Sequence, residues 1–268
     1  MNKSELLYKN LLEFGQARIL EFLKNAPTYE SQFHYTKLNS LCNQKMYVEL
    51  IPNKTYPPRQ SYFPEITELE AECKKCWKFF MKPRNKSVKG LDIQLGKVLE
   101  EVFIDFLRSL KINVIRADLK NRRYPDLLVL DSSKEIIAYI EFKYHAAPFL
   151  LTFKVREGRE CYEGSLTLDK KKTEKQLEIL ESEIERPVFF VHWVDFPCIK
   201  GIFFQTSEQL QDMLVNNKDI FTRKDREGDF ETKKDGTKKK IGYGEKVYPS
   251  IAEMGDFAEL IEIIEREK

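Results

Sequence analysis

The chain has 268 residues, and its 42% hydrophobic content is enough to bury a sizeable core in one large domain or two small ones. Its 45 Lys and Arg residues nearly balance its 43 Asp and Glu residues, and the resulting net charge of +2 excludes a uniformly basic nucleic-acid coat, so any polyanion must bind local basic clusters. No apolar run approaches the ~20 residues of a membrane span, and five irregularly spaced cysteines without a signal peptide indicate free thiols in a reducing cytoplasm.

The N-terminal part is predicted to be helical with one extended interruption. Apolar residues recur at helical spacing over residues 4–24, where Ser4 is a candidate N-cap. Four prolines within residues 46–64 favour a loop or an extended crossing, and a second helix is predicted at about residues 66–80. The polar, basic connector after this helix suggests a domain boundary near residue 88.

A lone CxxC pair, Cys73 and Cys76, lies in the second helix. No second CxxC or CxxH follows, so a four-ligand zinc site lacks ligands. The two cysteines share a helix face beside Trp77 and Phe80, and we expect both in the core.

The central segment, residues 91–206, alternates between helical and strand periods in the order α-β-β-β-α-β-β. The runs are, in chain order, LDIQLGKVLEEVFIDFLRSL, NVIRA, DLLVL, EIIAYIEFKY, LDKKKTEKQLEILESEI, RPVFFVHWVD and KGIFFQT. Thr167 is a candidate cap for the second of these helices. The order predicts an α/β fold with a central mixed β-sheet flanked by helices.

The C-terminal stretch 223–247 is dense in charge, and Asp235-Gly236 within it is a favourable hairpin turn. We expect either a mobile hairpin or a disordered loop. Its basic run, residues 223–240, could wrap DNA, but interleaved acidic residues slightly favour a solvated loop. These acidic residues are Asp225, Glu227, Asp229, Glu231 and Asp235. A final helix is predicted over roughly residues 250–266.

Three units follow from these elements. Residues 1–88 form an N-terminal helical and loop extension with a role in DNA recognition or dimerisation. Residues 89–206 form the core, and residues 207–268 form a charged C-terminal extension with a basic loop or hairpin and a terminal helix.

Charged residues interrupt two of the predicted central strands. Pro125 holds Tyr124 extended and places Asp126 at the first position of a strand. On the next strand Glu141 and Lys143 share one face, about 7 Å apart, within an otherwise apolar run. Buried charges are costly unless they are paired or ligate a metal. The alternative is a cross-strand ion pair at the surface.

A polar turn at residues 131–134 would make these two strands antiparallel neighbours and bring Asp126 close to Glu141. Two carboxylates so placed supply the oxygen ligands that Mg²⁺ accepts, with water in the remaining positions. Lys143 then has two open roles, which are a protonated stabiliser of negative charge or, if desolvated, a general base.

A third carboxylate is expected from the helix that begins near residue 91. Glu100 lies nearer than Glu101 to the edge of the apolar stripe of this helix. It also follows Gly96 by one turn, and this glycine would permit close approach to a sheet or a backbone. We choose Glu100, and Glu101 is the alternative.

Pro125-Asp126 followed by Glu141-x-Lys143 resembles the PD-(D/E)xK motif of the restriction-endonuclease-like nucleases. The α-β-β-β-α-β order over roughly residues 90–206 is similar to the core of that family. The resemblance implies that Asp126 and Glu141 bind Mg²⁺, for which Mn²⁺ can substitute, and that Lys143 orients or activates the attacking water. It also implies that a helix glutamate, here Glu100, completes the site directly or through water.

Basic and polar residues around the motif are candidate DNA contacts. Arg122 and Arg123 precede it, and a basic rim there would hold phosphates of a duplex, although solvated loop residues are an equal alternative. Lys170, Lys171 and Lys172 open a helix, where cations oppose the helix dipole, which hints at a polyanion partner or a solvated terminus.

Three further polar side chains of the central segment bear on the predicted site. Gln176 is a further candidate DNA contact, at a helix position where members of the resembled family often place a polar residue. His145 is interpreted as structural or supporting, and His192 as a core residue.

These features predict a Mg²⁺-dependent endonuclease that hydrolyses double-stranded DNA as a type II restriction enzyme. The chain lacks a GxxxxGK[ST] signature, and unrelated segments flank the core, where such enzymes carry sequence-reading elements. The resemblance implies a cytoplasmic homodimer on a palindromic site, alongside a methyltransferase for that site and without a membrane partner. The alternatives are a repair, transposon-end or structure-specific defence nuclease, and a non-catalytic nucleic-acid-binding module.

Overall fold

A computed structural model of this protein describes eight segments of the chain. They are residues 2–24, 64–81, 91–117, 124–145, 166–195, 200–222, 229–242 and 244–267. The helices are α1 (Lys3–Lys24), α2 (Leu69–Met81), α3 (Leu91–Ser109), α4 (Lys170–Glu183), α5 (Ser207–Val215) and α6 (Phe257–Arg266). None of the helices in these segments is long and apolar enough to cross a membrane.

The strands fall into three sheets. They are β1 (Asn113–Arg116), β2 (Leu127–Leu130), β3 (Ile136–His145), β4 (Leu168–Asp169), β5 (Val188–Asp195), β6 (Lys200–Thr206), β7 (Ile220–Thr222), β8 (Phe230–Thr232), β9 (Lys238–Lys240), β10 (Glu245–Val247) and β11 (Gly255–Asp256). The central sheet has the order β1-β2-β3-β5-β6-β11, the second β4-β10-β7, and the third contains only β8 and β9. The predicted central helices and strands are therefore confirmed.

The central sheet is mixed, as predicted. Strands β3 and β5 run parallel, and the other neighbours run antiparallel. Every residue of β5 from Val188 to Val194 is buried, which is the pattern of a strand covered on both faces. The chain thus has an α/β fold with a six-stranded sheet between helices.

Alternate residues of β5 define the two faces. Phe189, Val191 and Trp193 join a core cluster with side chains of α1, α3 and α6. Val188 and Phe190 join a second cluster with side chains of α4 and α5. Residues from both predicted extensions therefore pack into the same core as the central segment.

Two predicted helix caps are wrong because tertiary contacts determine the ends. Helix α1 is capped by Asn2, whose Oδ1 accepts a hydrogen bond from Glu5 N at 2.7 Å. Ser4 is instead buried inside the helix, and its Oγ accepts from Ala258 N at 2.8 Å in the first turn of α6. Thr167 does not cap α4, because the two residues after it pair with β10 and the helix begins only after Asp169.

The predicted close approach at Gly96 is also wrong. A Cβ atom at Gly96 would have no heavy atom of the described residues within 4 Å. The tight contact lies at Gly15 of α1, where an added Cβ would overlap the Val102 side chain on α3. Since α1 precedes the predicted core, its crossing with α3 was not visible in the pattern of α3 alone.

The second and the last helix begin later in the chain than predicted. Helix α2 begins at Leu69 because residues 64–68 form turns, with Glu68 at a φ of +70°. Helix α6 begins at Phe257 because β11 pairs with β6 immediately before it, and Asp256 then caps it by accepting from Glu259 N at 3.0 Å.

Two predictions in the N-terminal part fall largely outside the described residues. The proline-rich stretch is described only from residue 64 onwards, and the boundary near residue 88 is not described. Cys73 is buried, as expected, whereas the side chain of Cys76 is outside the described set.

Candidate active site

Strands β2 and β3 form the antiparallel hairpin that the polar turn predicted. Leu127 pairs with Ile140, so the preceding Asp126 lies beside Glu141 at the end of the hairpin. At its other end the Asp131 carboxylate accepts hydrogen bonds from Ser133 N and Glu135 N, which closes the turn. The register therefore brings together residues that are distant in sequence.

The backbone of β3 fixes the Asp126 carboxylate. Phe142 N donates a hydrogen bond to Asp126 Oδ2 at 2.9 Å. Pro125 is buried directly before it, at the entry to β2. This carboxylate is consequently held at the end of the β2–β3 hairpin by a main-chain donor and not by a mobile side chain.

Strand alternation points Glu141 and Lys143 towards α4. Ile140 and Phe142 belong to the cluster under α1 and α3, so their neighbours face the opposite side. Tyr139, which shares that side, packs against the cluster of α4 and α5. The charged residues of β3 therefore lie under the first turns of α4.

Two carboxylates at this end of the β2–β3 hairpin lie close to the same ammonium group. Lys143 Nζ forms an ion pair with Glu141 Oε1 and lies 3.9 Å from Asp126 Oδ2. Lys172 Nζ on α4 approaches the same Glu141 oxygen at 3.7 Å. The Glu141 side chain is only 2% exposed, so the cluster is built on a buried carboxylate and is not the surface ion pair considered as an alternative.

Burial and neighbouring charge separate the two carboxylates. Burial raises the pKa of Asp126, and the charge of Glu141 adds to this effect. Burial also acts to raise the pKa of Glu141, but the charges of Lys143 and Lys172 outweigh it, and the net pKa is lowered. Glu141 is therefore the firmly ionised member of the pair, and Asp126 is the readier proton acceptor.

The two lysines are separated in the same way. Burial acts to lower the pKa of Lys143, but Glu141 and Asp126 outweigh it and the net pKa is raised. Burial lowers the pKa of Lys172, and the positive charge of Lys143 lowers it further. Of the two roles left open for Lys143, these surroundings favour the protonated stabiliser.

Glu100 lies on α3, which covers the other face of the sheet. Its Oε1 lies 3.1 Å from Arg116 Nη2, and Glu101 Oε1 lies 3.5 Å from the same nitrogen. Burial raises the pKa of Glu100; Arg116 opposes this and Asp126 adds to it, so Glu100 lies within the electrostatic range of the site. The choice of Glu100 over Glu101 stays a prediction.

Metal-ligand geometry is not preformed around three side chains. Within the segments the structure describes, no group of three or more His, Cys, Asp and Glu residues is arranged to hold a metal ion. Glu141 Oε2, however, is buried and makes no hydrogen bond to any described residue. An unsatisfied buried carboxylate oxygen is costly, and a hard divalent cation would satisfy it. The donor chemistry of Asp126 and Glu141 therefore fits Mg²⁺.

The candidate DNA contacts divide between the site and its surroundings. Gln176 is buried and helps to lower the pKa of Glu141, so it belongs to the site, as does Lys172. Lys170 points away, 3.7 Å from carboxylates of both Glu174 and Glu245. Lys171 is exposed on the same turn of α4, and Arg122 and Arg123 lie outside the described residues.

A histidine pair beside the site was only partly expected. His145 Nε2 lies 3.1 Å from His192 Nδ1, and the Cα of His192 is the β5 partner of Lys143. His192 is fully buried, as predicted, but its Nε2 makes no hydrogen bond to a described residue. Burial, aided by the charge of Lys143, lowers the pKa of His145 to about 3.

Arg116, the partner of Glu100, also went unnoticed in the sequence. Its position in the predicted strand NVIRA, at the same parity as the buried Val114, is the signal that could have placed it under α3. The histidine contact depends on the register of two parallel strands, and no local pattern reports that register.

No protein-family model, curated protein or solved structure matches this chain. The function of this protein is therefore inferred from its sequence motif and from the geometry and chemistry of the site.

Proposed function

We propose that this protein is a Mg²⁺-dependent endonuclease of double-stranded DNA, with a PD-(D/E)xK-type site and the restriction-endonuclease-like αβββαβ core. The convergence of Asp126, Glu141 and Lys143 at one end of the β2–β3 hairpin is the observation that carries the proposal. The element order from α3 to β5, with β2 and β3 antiparallel and β3 and β5 parallel, supports the proposed core.

Asp126 and Glu141 would hold the metal, with Glu100 contributing directly or through water. When bound, Mg²⁺ supplies a water of lowered pKa and neutralises charge on the phosphate, and Mn²⁺ can replace it. The orphaned Glu141 Oε2 and the main-chain bond that fixes Asp126 support this assignment.

Lys143 would act as an electrostatic stabiliser. Two carboxylates raise its pKa, so it remains an ammonium group at neutral pH. Fixed positive charge in a partly dry site stabilises negative charge that develops on phosphoryl oxygens. Lys172, whose side chain is 50% exposed beside Glu141, would bind an incoming phosphate.

Within this proposal we favour a type II restriction enzyme that acts as a homodimer on a palindrome. A two-fold protein on a two-fold site explains that stoichiometry. A methyltransferase would then protect the same site in the cell without forming a stable complex with the endonuclease.

The proposal is tested by incubating unmethylated plasmid with the protein and Mg²⁺ or Mn²⁺. We expect discrete fragments that disappear in EDTA, and a loss of about 10²–10³-fold in cleavage rate for Glu141→Gln. Glu135→Gln is the matched control, because Glu135 is an exposed residue in the turn that leads into β3, at the end remote from the site. This control should cut like the wild type.

Other outcomes identify the alternatives. Cleavage confined to branches, nicks or ends would indicate a structure-specific nuclease on the same core. Binding that persists without cleavage under either metal would indicate a non-catalytic module and would overturn the proposal.

A further inference from the structure

The β8–β9 hairpin is a basic ribbon on the surface of the protein. Every residue from Glu231 to Lys240 is exposed. Five lysines lie in this stretch, against two carboxylates, and they are Lys233, Lys234, Lys238, Lys239 and Lys240. The local charge is therefore positive although the chain as a whole is nearly neutral.

The side chain of Asp235 and the backbone of Asp229 form hydrogen bonds that close the two ends of the hairpin. Asp235 Oδ1 accepts hydrogen bonds from Thr237 N at 2.9 Å and from Thr237 Oγ1 at 2.6 Å. Gly236 completes the turn with a φ of +82°, which favours glycine. At the base, Asp229 is buried and its carbonyl oxygen accepts from Ile241 N at 2.7 Å.

Pairing in the ribbon separates its lysines into two faces. Lys239 is the Cα partner of Glu231, so a carboxylate lies across from it. Lys238 and Lys240 are paired with Thr232 and Phe230, which carry no charge. Their side chains share one face, since side chains alternate along a strand. An exposed face that carries two lysines is complementary in charge to a polyanion.

The packing of the core does not explain this ribbon. None of its residues from Glu231 to Lys240 is buried, and an isolated two-stranded hairpin is marginally stable in water. A segment without apolar burial is accessible to a partner at the surface, and its lysines point to an anionic one.

The ribbon leads directly into the elements that hold the candidate site. Lys246 on β10 pairs across the second sheet with Asp169, with which it forms an ion pair. Asp169 is the N-cap residue of α4, which carries Lys172 over Glu141. From Lys246 onwards this path runs through paired strands and the first turn of α4.

Chain geometry limits how far apart these lysines can lie. Lys246 is six positions after Lys240, so their Cα atoms are at most ~21 Å apart. Adjacent strands and one helical turn add ~5 Å each. Lys240 thus lies within roughly 35 Å of Lys172, which is about one turn of B-form DNA.

We propose that the β8–β9 hairpin, through Lys238 and Lys240, binds phosphates of the DNA duplex whose cleavage site lies at Glu141. This inference rests on the proposed function and names a second contact with the same substrate. Lysine contacts to phosphates carry no base information, so the hairpin adds affinity and not sequence choice.

The test is the salt dependence of binding to a duplex about three helical turns long, measured by fluorescence anisotropy in EDTA. Each lysine contact contributes a slope of about −0.9 in log K against log salt. We therefore expect Lys238→Gln/Lys240→Gln to flatten the slope by about 1.8. The ratio of affinities at about 50 and 200 mM salt should then fall by about tenfold relative to the wild type.

Lys111→Gln/Lys134→Gln is the matched control. Both residues are exposed lysines at the end of the sheet remote from Asp126, beside Asn113 and the β2–β3 turn. This double variant removes the same charge and should retain the wild-type slope. Equal flattening in the control would mean that net charge, and not the hairpin, sets affinity, and would overturn the inference.

Failure of this inference can be distinguished from failure of the proposed function. A wild-type slope in Lys238→Gln/Lys240→Gln, with Mg²⁺-dependent cleavage intact, overturns the hairpin contact alone. Aggregation of that variant with an unchanged slope would assign the lysines to protection of a strand edge and would also overturn it. A flattened slope without cleavage under any metal keeps the contact and overturns the nuclease.

Discussion

Two regions of this protein bring acidic and basic side chains together on paired strands, yet the environments of these side chains differ. At the end of β3, Glu141 and Lys143 are packed beneath α4 with Asp126 beside them. In the β8–β9 hairpin, Glu231 and Lys239 face each other in solvent. Burial raises the pKa of Asp126, whereas neighbouring charges outweigh burial at Glu141 and Lys143 and set the direction of their pKa shifts. The number of charges is therefore a weaker guide to function than whether they are buried together.

The flanking residues cause this difference. Ile140 and Phe142 on β3 are buried in the main core and hold the intervening charges against the sheet. The hairpin has only the half-buried Phe230 for the same purpose. Buried charge interacts strongly because solvent does not screen it, whereas exposed charge is screened by salt.

The largest effect on stability is expected at Glu141. Glu141→Ala leaves Lys143 partly buried beside an emptied position and should lower the free energy of unfolding by about 3 kcal/mol. Glu141→Leu/Lys143→Met replaces the pair with apolar groups of similar volume and should be neutral or stabilising by about 1–4 kcal/mol. Urea unfolding near pH 7 in EDTA measures both. Equal destabilisation of the single and double variants would mean that the buried pair itself stabilises the fold.

The histidine pair should make the protein sensitive to mild acid. His145 has a pKa of about 3 in the folded protein against an ordinary value of 6.5. Between these values the unfolded chain binds the extra proton, so stability falls as the pH drops, with a slope approaching about 1.4 kcal/mol per unit. His145→Gln should lose less stability than the wild type between about pH 6.5 and 4.5 in urea unfolding. Parallel curves would contradict this expectation.

Asp126 should show a smaller effect of opposite sign from the usual carboxylate. Burial and Glu141 raise its pKa above 3.8, so the folded state binds its proton more tightly than the unfolded chain does. The stability that this group contributes is therefore lost as the pH rises from 3.8 through the higher pKa of the folded state. The stability of Asp126→Asn relative to the wild type should increase from about pH 3.5 upwards. The effect is modest because the Asp126 side chain is 36% exposed.

The central hairpin of the site could be predicted from the sequence because its determinants are local. Pro125, the polar turn at residues 131–134 and the alternation around Glu141 all lie within one short stretch. Turn chemistry and period together fix the register of such a hairpin. The element order from α3 to β6 followed from the same local periods.

The features that the sequence did not predict depend on distant partners. Ser4 accepts a hydrogen bond from the first turn of α6 and does not cap its own helix, because the N-terminus of α6 lies against it in the fold. Strand β11 has two residues and is defined only by its pairing with β6. His192 meets His145 through a register that spans the crossover from β3 to β5. Tertiary partners decide such contacts, and local propensity carries no record of them.

The smallest effect on stability is expected in the β8–β9 hairpin. Lys238 and Lys240 are exposed on one face, so neutralising them alters interactions that solvent screens. Lys238→Gln/Lys240→Gln should therefore change the free energy of unfolding by less than about 0.5 kcal/mol, in either low or high salt. Urea unfolding of this variant beside Glu141→Ala compares the two regions directly. A loss above about 1 kcal/mol would show that the ribbon lysines support the fold, and the contrast between buried and exposed charge would then fail.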